Sequence, residues 1–305
     1  MSEKLNEYVN SVFAPYEGAK SVSELKTDLL ADLQERFREL KAEGKDDETA
    51  FELTVDSIGD IEETVREVGS LSRSLERQLV TRFDASELGG SDFAGVDVPG
   101  GKFDASVLRG SDFSHANLTG SSFKASDLVN ANFEGANLTG TTFKTSDVTE
   151  ANFDGANLTD ANLSVIELAR ASFRRSIMVR TDFNMSGLNE TRFAEVTLTD
   201  VKFRMTDLRR TVFDNCAYTG VDFGLSDLRG LILDGAVFTS VNFDRAALNG
   251  VTLRGATLRD VSFRATTRKY RNAIRTVDFG GARMDKLTYA GLKGMGADLT
   301  NVTVL

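Results

Sequence analysis

The sequence predicts a mainly β chain in which a solenoid of short repeats, from residue 81 to residue 305, follows a small α-helical domain over residues 1–80. The first observation behind this prediction is an apolar residue, most often Phe or Leu, at every fifth position from Phe83 to Phe263. The second is a small or β-branched residue two positions before it, as at Ser91 and Ala116. A period of five fits neither an ordinary helix nor an ordinary strand. Sustained over this length, it predicts a solenoid in which each repeat buries its apolar side against its neighbours.

The repeat units have a form that a known family shares. Residues Ala131–Gly135, which read ANFEG, and Ala136–Gly140, which read ANLTG, resemble the pentapeptide-repeat proteins. The unit of that family runs small or apolar, Asp or Asn, Leu or Phe, and then two variable residues. The resemblance covers about two thirds of the chain. It implies a right-handed quadrilateral parallel β-helix with four units in each coil, in which the central residue and the one two positions before it point inward.

Phe and Leu alternate at the central position, so Phe recurs at every tenth residue. With four units in each coil, Phe lines two opposite faces and Leu the other two, and successive Phe rings stack at the strand spacing of about 4.8 Å. Gly often stands two positions after the central residue, as at Gly110 and Gly140, where a corner turn needs a positive φ. We therefore expect a continuous core that includes Phe113, Leu118, Phe123, Leu128, Phe133, Leu138, Phe143 and Phe153.

Residues 1–80 carry the apolar spacing of four amphipathic helices. The second of them stops at Gly44, and Asp46 or Asp47 caps the third. The fourth, from Ile61 to Leu79, runs directly into the first coil. Because a solenoid end exposes an open strand edge, we expect this last helix to cap the solenoid.

The helical block also resembles a known family. The runs Glu24–Leu40, Gly44–Lys45, Glu48–Ala50 and Ile58–Asp60 are similar to the bacterial HAAS or permease-prefix helical domains. Some members of that family are partners of PadR-like winged-helix regulators, so the resemblance implies a protein partner for this domain. No transmembrane segments follow it in this sequence, and we therefore expect no membrane role.

Charge is unevenly spread along this acidic chain, whose formal net charge is −10. Acidic residues predominate up to residue 165, and lysine and arginine predominate from residue 166 onward, so the molecule should be electrically polar from end to end. Arg209 and Arg229 lie one coil apart and should stack on one face. Two interpretations stay open for them: ion pairs between coils, each worth little, or a contact surface for an anionic partner.

The repeat is interrupted once, by a basic stretch at about residues 265–277. We interpret this stretch as a loop or short helix that projects from one corner, either as a tolerated insertion or as a partner contact made by Arg268, Lys269, Arg271 and Arg275. The register then resumes one residue out of phase, at Phe279, Met284, Tyr289, Leu299 and Val304. The apolar tail should leave the final coil uncapped. Several family members join through this end, so the resemblance implies a possible homodimer through the C-terminal coils.

The sequence gives little indication of a catalytic site. The chain has one His and one Cys: His115 falls at an outward position and Cys216 at an inward slot, so neither has a metal-binding or nucleophilic partner. We expect no enzyme and no cofactor.

No outward aromatic residues accompany the arginines, so direct nucleic-acid binding is not expected. The polar start shows no signal peptide or membrane span, which predicts a cytoplasmic protein.

Two hypotheses for the function remain, and both are non-enzymatic protein interaction. The first follows from the family resemblance: Qnr-like and MfpA-like members imitate duplex DNA and bind DNA gyrase or topoisomerase IV, which protects it from inhibitors. The acidic coils from Asp84 to Asp160 fit such a mimic, whereas the net positive second half does not. The alternative is a regulatory module, in which the helical domain binds a PadR-like transcriptional regulator or another protein and the rod is a spacer or a second surface.

Overall fold

The computed structural model describes residues 2–14, 20–58, 61, 65 and 81–305 of the chain. The chain divides into two compact units, residues 1–80 and residues 81–305. The predicted fold class is confirmed: helices form the first unit, and a right-handed parallel β-helix of pentapeptide repeats forms the second.

The first unit contains helices α1 (Ser2–Phe13), α2 (Lys20–Ala42) and α3 (Asp47–Asp56). Asp46 caps α3, because its side chain accepts hydrogen bonds from the backbone N–H groups of Glu48 and Thr49 at 3.1 and 3.0 Å. The helices pack around a core formed by Leu5, Val9, Phe13, Leu33, Ile61 and Val65. Apart from Ile61 and Val65, the predicted fourth helix and its capping of the solenoid lie outside the described residues.

The second unit has coils of twenty residues, as the repeat predicts. Parallel bridges join residues twenty positions apart, such as Arg82 to Lys102 and Asp112 to Asn132. We number the four faces by their first central residues, so that face 1 begins at Phe83, face 2 at Leu88, face 3 at Phe93 and face 4 at Val98. From residue 172 onward some of the bridges extend into strands: β1 (Ser172–Arg174), β2 (Met178–Val179), β3 (Arg192–Ala194), β4 (Thr197–Thr199), β5 (Val212–Asp214), β6 (Ala217–Thr219), β7 (Val237–Thr239), β8 (Thr257–Arg259), β9 (Arg283–Met284) and β10 (Thr303–Val304).

These strands form one parallel sheet on each of two faces. On face 3 the order is β1-β3-β5, and on face 4 it is β10-β9-β8-β7-β6-β4-β2. The register places equivalent residues of successive coils opposite each other, as with Phe193 and Phe213. Each outward side chain therefore lies directly above its counterpart in the coil before.

The core is a shaft filled by the central residues. Phe rings of one face stack in parallel, with centroids 5.1 Å apart for Phe113 and Phe133, and rings of opposite faces meet edge to face, with 5.5 Å and 85° between Phe133 and Phe143. The solvent-exposed fraction is zero for Phe113, Leu118, Phe123, Leu128, Phe133, Leu138, Phe143 and Phe153. The alternation of Phe and Leu is thus what sets two stacks of rings on opposite walls.

Small polar residues fit the shaft because their hydroxyl groups reach a backbone acceptor. The Thr181 hydroxyl donates to the Leu158 carbonyl at 2.9 Å, and the Thr211 hydroxyl donates to the Leu188 carbonyl at the same distance. In each case the acceptor belongs to the preceding coil. A buried hydroxyl that lacks an acceptor would be destabilising, so these bonds explain why Ser and Thr occur in this slot as well as Ala and Val.

The interruption of the repeat contains a short helix, α4 (Arg268–Ile274). Thr252 of one coil pairs with Asp278 of the next, so this coil has six residues more than the others. Ala273 and Ile274 are buried and anchor α4 to the solenoid. A short helix at this position is one of the two forms that the sequence predicts.

A second helix in the last coil, α5 (Lys286–Met295), contradicts two predictions. Tyr289 lies within α5 rather than at a central position, because Asp285 caps a helix at this point. The expectation of an uncapped final coil is wrong where α5 covers the coil, but it holds at the tail, where β10 is the edge strand of its sheet and Val304 and Leu305 are exposed. Leu292 is fully buried, and the Thr288 hydroxyl accepts a hydrogen bond from the Val261 backbone N–H at 3.1 Å, so α5 packs directly on the preceding coil.

Candidate interaction surfaces

The one histidine and the one cysteine of the chain are placed as a surface residue and a structural residue, respectively. His115 is exposed at a corner, and no group of His, Cys, Asp and Glu among the described residues is arranged to hold a metal ion. Burial raises the pKa of the Cys216 thiol to about 11, and its Sγ lies 3.4 Å from the Phe193 carbonyl oxygen. The thiol is therefore protonated and a poor nucleophile at neutral pH.

Arg209 and Arg229 lie one coil apart on face 2, and both are ion-paired. The Arg209 Nη2 atom is 2.6 Å from an Asp207 oxygen, and the Arg229 Nη2 atom is 2.6 Å from an Asp227 oxygen. Arg209 also approaches Asp227 at 3.6 Å, which links the two coils. The hydrogen bonds from Arg209 and Arg229 hold the pKa values of Asp207 and Asp227 below the ordinary value. The charge of these two arginines is thus largely satisfied within the solenoid.

The acidic coils of residues 81–165 differ, because most of their carboxylates have no cation nearby. Arg109 pairs with Asp127 and Arg180 with Asp160. Within the described part of the chain, no lysine or arginine nitrogen lies within 4.0 Å of the carboxylates of Glu87, Asp92, Asp97, Asp104, Asp112, Glu134, Asp147 and Asp154. This end of the solenoid therefore presents uncompensated negative charge.

Some of these carboxylates also support the coil. Asp112 accepts hydrogen bonds from the Ser114 backbone N–H and from the Asn132 side chain, each at 2.9 Å. The bond from the Ser114 backbone is the main cause that lowers the pKa of Asp112. The Asp or Asn before a central residue is thus a structural residue as well as a source of charge.

The opposite end of the solenoid presents uncompensated positive charge. Arg268, Lys269, Arg271 and Arg275 are exposed on or directly after α4, and no carboxylate among the residues described lies within 4.0 Å of their nitrogens. Arg275 donates instead to the Met295 carbonyl at 3.4 Å. The paired arginines of the middle coils therefore separate an acidic region from a basic one.

The repeats match a known family in three places. The family model described as pentapeptide repeats matches residues 86–124, 126–164 and 222–260. No curated protein matches the chain. Every helix in the described residues is too short or too polar to cross a lipid bilayer.

Two of the solved structures that are similar to this chain are described as pentapeptide repeat proteins. HetL from the cyanobacterium Nostoc sp. strain PCC 7120, a pentapeptide repeat protein involved in heterocyst differentiation regulation, is 19% identical with a TM-score of 0.48, over 68% of this chain and 90% of its own. Trypsin-treated QnrB1, a plasmid-mediated fluoroquinolone resistance protein, is 17% identical with a TM-score of 0.41, over 70% of this chain and 94% of its own. A pentapeptide repeat protein from the Arabidopsis thaliana thylakoid lumen is 28% identical with a TM-score of 0.22, over 39% of this chain and 71% of its own.

Proposed function

The chain is a pentapeptide-repeat protein, and from this premise we propose that it is a cytoplasmic, non-enzymatic rod that binds proteins through its charged ends. The acidic coils of residues 81–165 form the principal contact, and their partner is a basic surface that otherwise holds nucleic acid. The observation that carries the proposal is the separation of charge along the solenoid. Most arginines of the middle coils are paired, as Arg209 and Arg229 are, so uncompensated charge of one sign is concentrated at the ends.

The density of unpaired carboxylates along the acidic coils is suitable for a partner surface that binds DNA. Each acidic coil rises by about 4.8 Å and carries about two unpaired carboxylates, which places one negative charge on about every 2–3 Å of the axis. Duplex DNA carries one on about every 1.7 Å. The solenoid therefore comes within a factor of about two of the linear charge of duplex DNA. The sharpest form of the proposal is that the partner is DNA gyrase or a related topoisomerase.

A supercoiling assay with purified gyrase tests this form of the proposal. The full chain should inhibit supercoiling, or protect gyrase from a fluoroquinolone, at micromolar concentration. Replacing Glu87 and Glu134 by Gln removes two unpaired charges and should weaken the effect, whereas the matched changes Asp200→Asn and Asp234→Asn in the middle coils should not. If the unmodified chain neither binds gyrase nor changes its activity, gyrase is not the partner.

The basic end supplies a second contact. Arg268, Lys269, Arg271 and Arg275 would bind an anionic group of the partner, because no internal carboxylate among the described residues satisfies them. Two copies that met here to form a homodimer would bring these cations together, so an acidic partner fits this end better than a second copy does. Light scattering at low and high salt separates the two arrangements, because a dimer held against this repulsion should strengthen as salt rises.

A second candidate function belongs to the helical unit. Its own buried core, formed by Leu5, Val9, Phe13 and Leu33 among others, favours a domain that could bind a partner independently of the solenoid. This partner would be a PadR-like transcriptional regulator or another protein. Co-purification from the source cell with the full chain, compared with a chain that lacks residues 1–80, tests the idea. Recovery of the same regulator with both chains would exclude the helical unit as its binding site.

A further inference from the structure

The four edges of the solenoid, formed by the residues two positions after each central residue, differ in the middle coils. Three of them carry charged residues that pair from coil to coil. Arg170 Nε lies 2.7 Å from a Glu150 oxygen on one edge, and Arg175 Nε lies 2.7 Å from a Glu195 oxygen on the next. The third edge has Arg180 Nε at 2.6 Å from Asp160. The arginines on these edges, Arg170, Arg175, Arg180 and Arg210, are all ion-paired.

The fourth edge, between faces 1 and 2, is apolar. It consists of Val165, Met185, Met205 and Leu225 in four successive coils, and we call it the apolar edge. The exposed fractions of Val165, Met185 and Met205 are 39%, 52% and 51%. Leu225 is half-buried.

The backbone of the apolar edge is also unfavourable for these side chains. The φ angles of Val165, Met185, Met205 and Leu225 lie between +56° and +65°. This left-handed conformation suits Gly, as at Gly110 on another edge, and is strained for a residue with a Cβ atom, most of all for β-branched Val165. Charged residues on the other edges, such as Arg170 and Arg175, adopt the same left-handed φ, so the apolar edge differs from them in the chemistry of its side chains. Its three exposed side chains point away from the shaft, which indicates a function outside the packing of the solenoid.

A surface cavity lies beside the apolar edge, two residues further along the same coils. Gly187 stands at an outward position of face 2, and the cavity around it has a volume of about 600 Å³. Glu167 borders the cavity on one side, and Asp207, Arg209 and Arg210 border it on the other. Arg210 is paired with Glu190 at 3.3 Å. Asp207 is paired with Arg209, whereas Glu167 has no cation within 4.0 Å in the part of the chain that the structure describes. The cavity thus holds one uncompensated carboxylate next to exposed apolar side chains.

We propose that the apolar edge and the Gly187 cavity together bind an amphipathic helix of a partner protein, with its apolar side chains against Met185 and Met205 and a lysine or arginine against Glu167. A lysine or arginine of the partner is expected at this point because its positive charge complements the unpaired carboxylate of Glu167. The edge spans three coil spacings, about 14 Å, which is the length of about three helical turns. A second copy fits less well, because an edge of this length is too small for the ~800 Å² that each partner of a stable interface buries. Adaptable methionine side chains suit such a contact.

Methyl NMR of the full chain, labelled with ¹³C at the methionine methyl groups, tests the proposal directly. The probe is an amphipathic helical peptide of about four turns with one leucine face flanked by lysines, and the matched control peptide has glutamate in place of each lysine. The lysine peptide should shift the Met185 and Met205 signals, whereas the fully buried Met178 and Met284 serve as internal references. The glutamate peptide should bind at least about threefold more weakly, as expected for the loss of an exposed ion pair.

Variants of the chain separate the two parts of the site. Replacing both Met185 and Met205 by Asn, which tolerates the left-handed backbone, should weaken binding of the lysine peptide more than about tenfold. Glu167→Gln should weaken it about threefold, and Ile232→Ser, on another face and also exposed, should leave it unchanged. The proposal is overturned if the lysine peptide shifts neither signal at millimolar concentration, or if both peptides bind equally. A dimer that the double Asn variant abolishes in light scattering would instead identify a second copy as the occupant.

Discussion

The rings of Phe123 and Phe143 stack in parallel, with centroids 5.1 Å apart and 5° between their planes. The ring of Phe133, from the opposite face, meets Phe143 edge to face at 5.5 Å. Phe123 thus contacts a ring in the coil before, a ring in the coil after and a ring across the shaft. The central residue of one unit therefore helps to position its neighbours in three directions.

Phe143→Ala should lower the free energy of unfolding by about 3–5 kcal/mol, because it removes a ring that is fully buried in this stack. Thr139→Ala changes an outward residue of a neighbouring unit and should cost less than about 0.5 kcal/mol. Urea unfolding followed by circular dichroism measures both values. Equal losses at the two positions would contradict the assignment of inward and outward residues.

Val165→Gly should raise the stability by up to about 1 kcal/mol, because Gly adopts the left-handed backbone at φ 58° without strain. Val201→Gly is the matched control, since Val201 is fully buried and has no positive φ. It should lower the stability by about 2–3 kcal/mol. If Val165→Gly is as destabilising as the control, the strain along the apolar edge is not real.

Acidification should weaken the face-2 ion pairs. Bonding to Arg209 holds the pKa of Asp207 below its unfolded value, so the stability that this pair contributes is complete above about pH 4 and is lost as the pH falls through the lowered pKa. The Asp207→Asn variant should therefore lose less stability than the unmodified chain between pH 5 and pH 3. Urea midpoints at the two pH values measure the difference, with Arg209→Gln as the control that removes the cation. The same pH dependence in all three proteins would refute this role.

Leu292→Ala in α5 should cost about 2–4 kcal/mol, because the side chain is fully buried at the last coil. Leu287→Ala on the same helix should change the stability by less than about 0.5 kcal/mol, since the Leu287 side chain is 76% exposed. The melting temperatures of the two variants give the comparison. If both are as stable as the unmodified chain, α5 does not cover the end of the solenoid.

The coil and its core could be predicted because their signals are local and repeated. The alternation of Phe and Leu fixes which faces carry rings, and the shift of register between Phe263 and Phe279 locates the insertion that contains α4. Helix α5 was missed because Tyr289 happens to fall on the repeat. The capping signals Asp285 and Gly296 were present in the sequence but compete with that periodicity.

The surfaces could be predicted only in part. The sequence places Arg209 and Arg229 one above the other, but their pairing with Asp207 and Asp227 depends on side-chain conformations that the repeat does not specify. The apolar edge had a readable signal, since Met185 and Met205 are twenty residues apart at a corner position. This recurrence becomes visible only when the outward residues of successive twenty-residue coils are compared position by position, in the same way as the inward residues.

The bridges between residues twenty positions apart make the length of this protein adjustable. Removal or duplication of one whole coil, for example from Asn162 to Thr181, would rejoin equivalent neighbours and leave the stacking pattern unbroken. The acidic and basic ends would move relative to each other by about 4.8 Å with each such step. A partner that contacts both ends therefore requires a fixed spacing between them, and duplication or loss of a coil in the gene changes that spacing in equal steps.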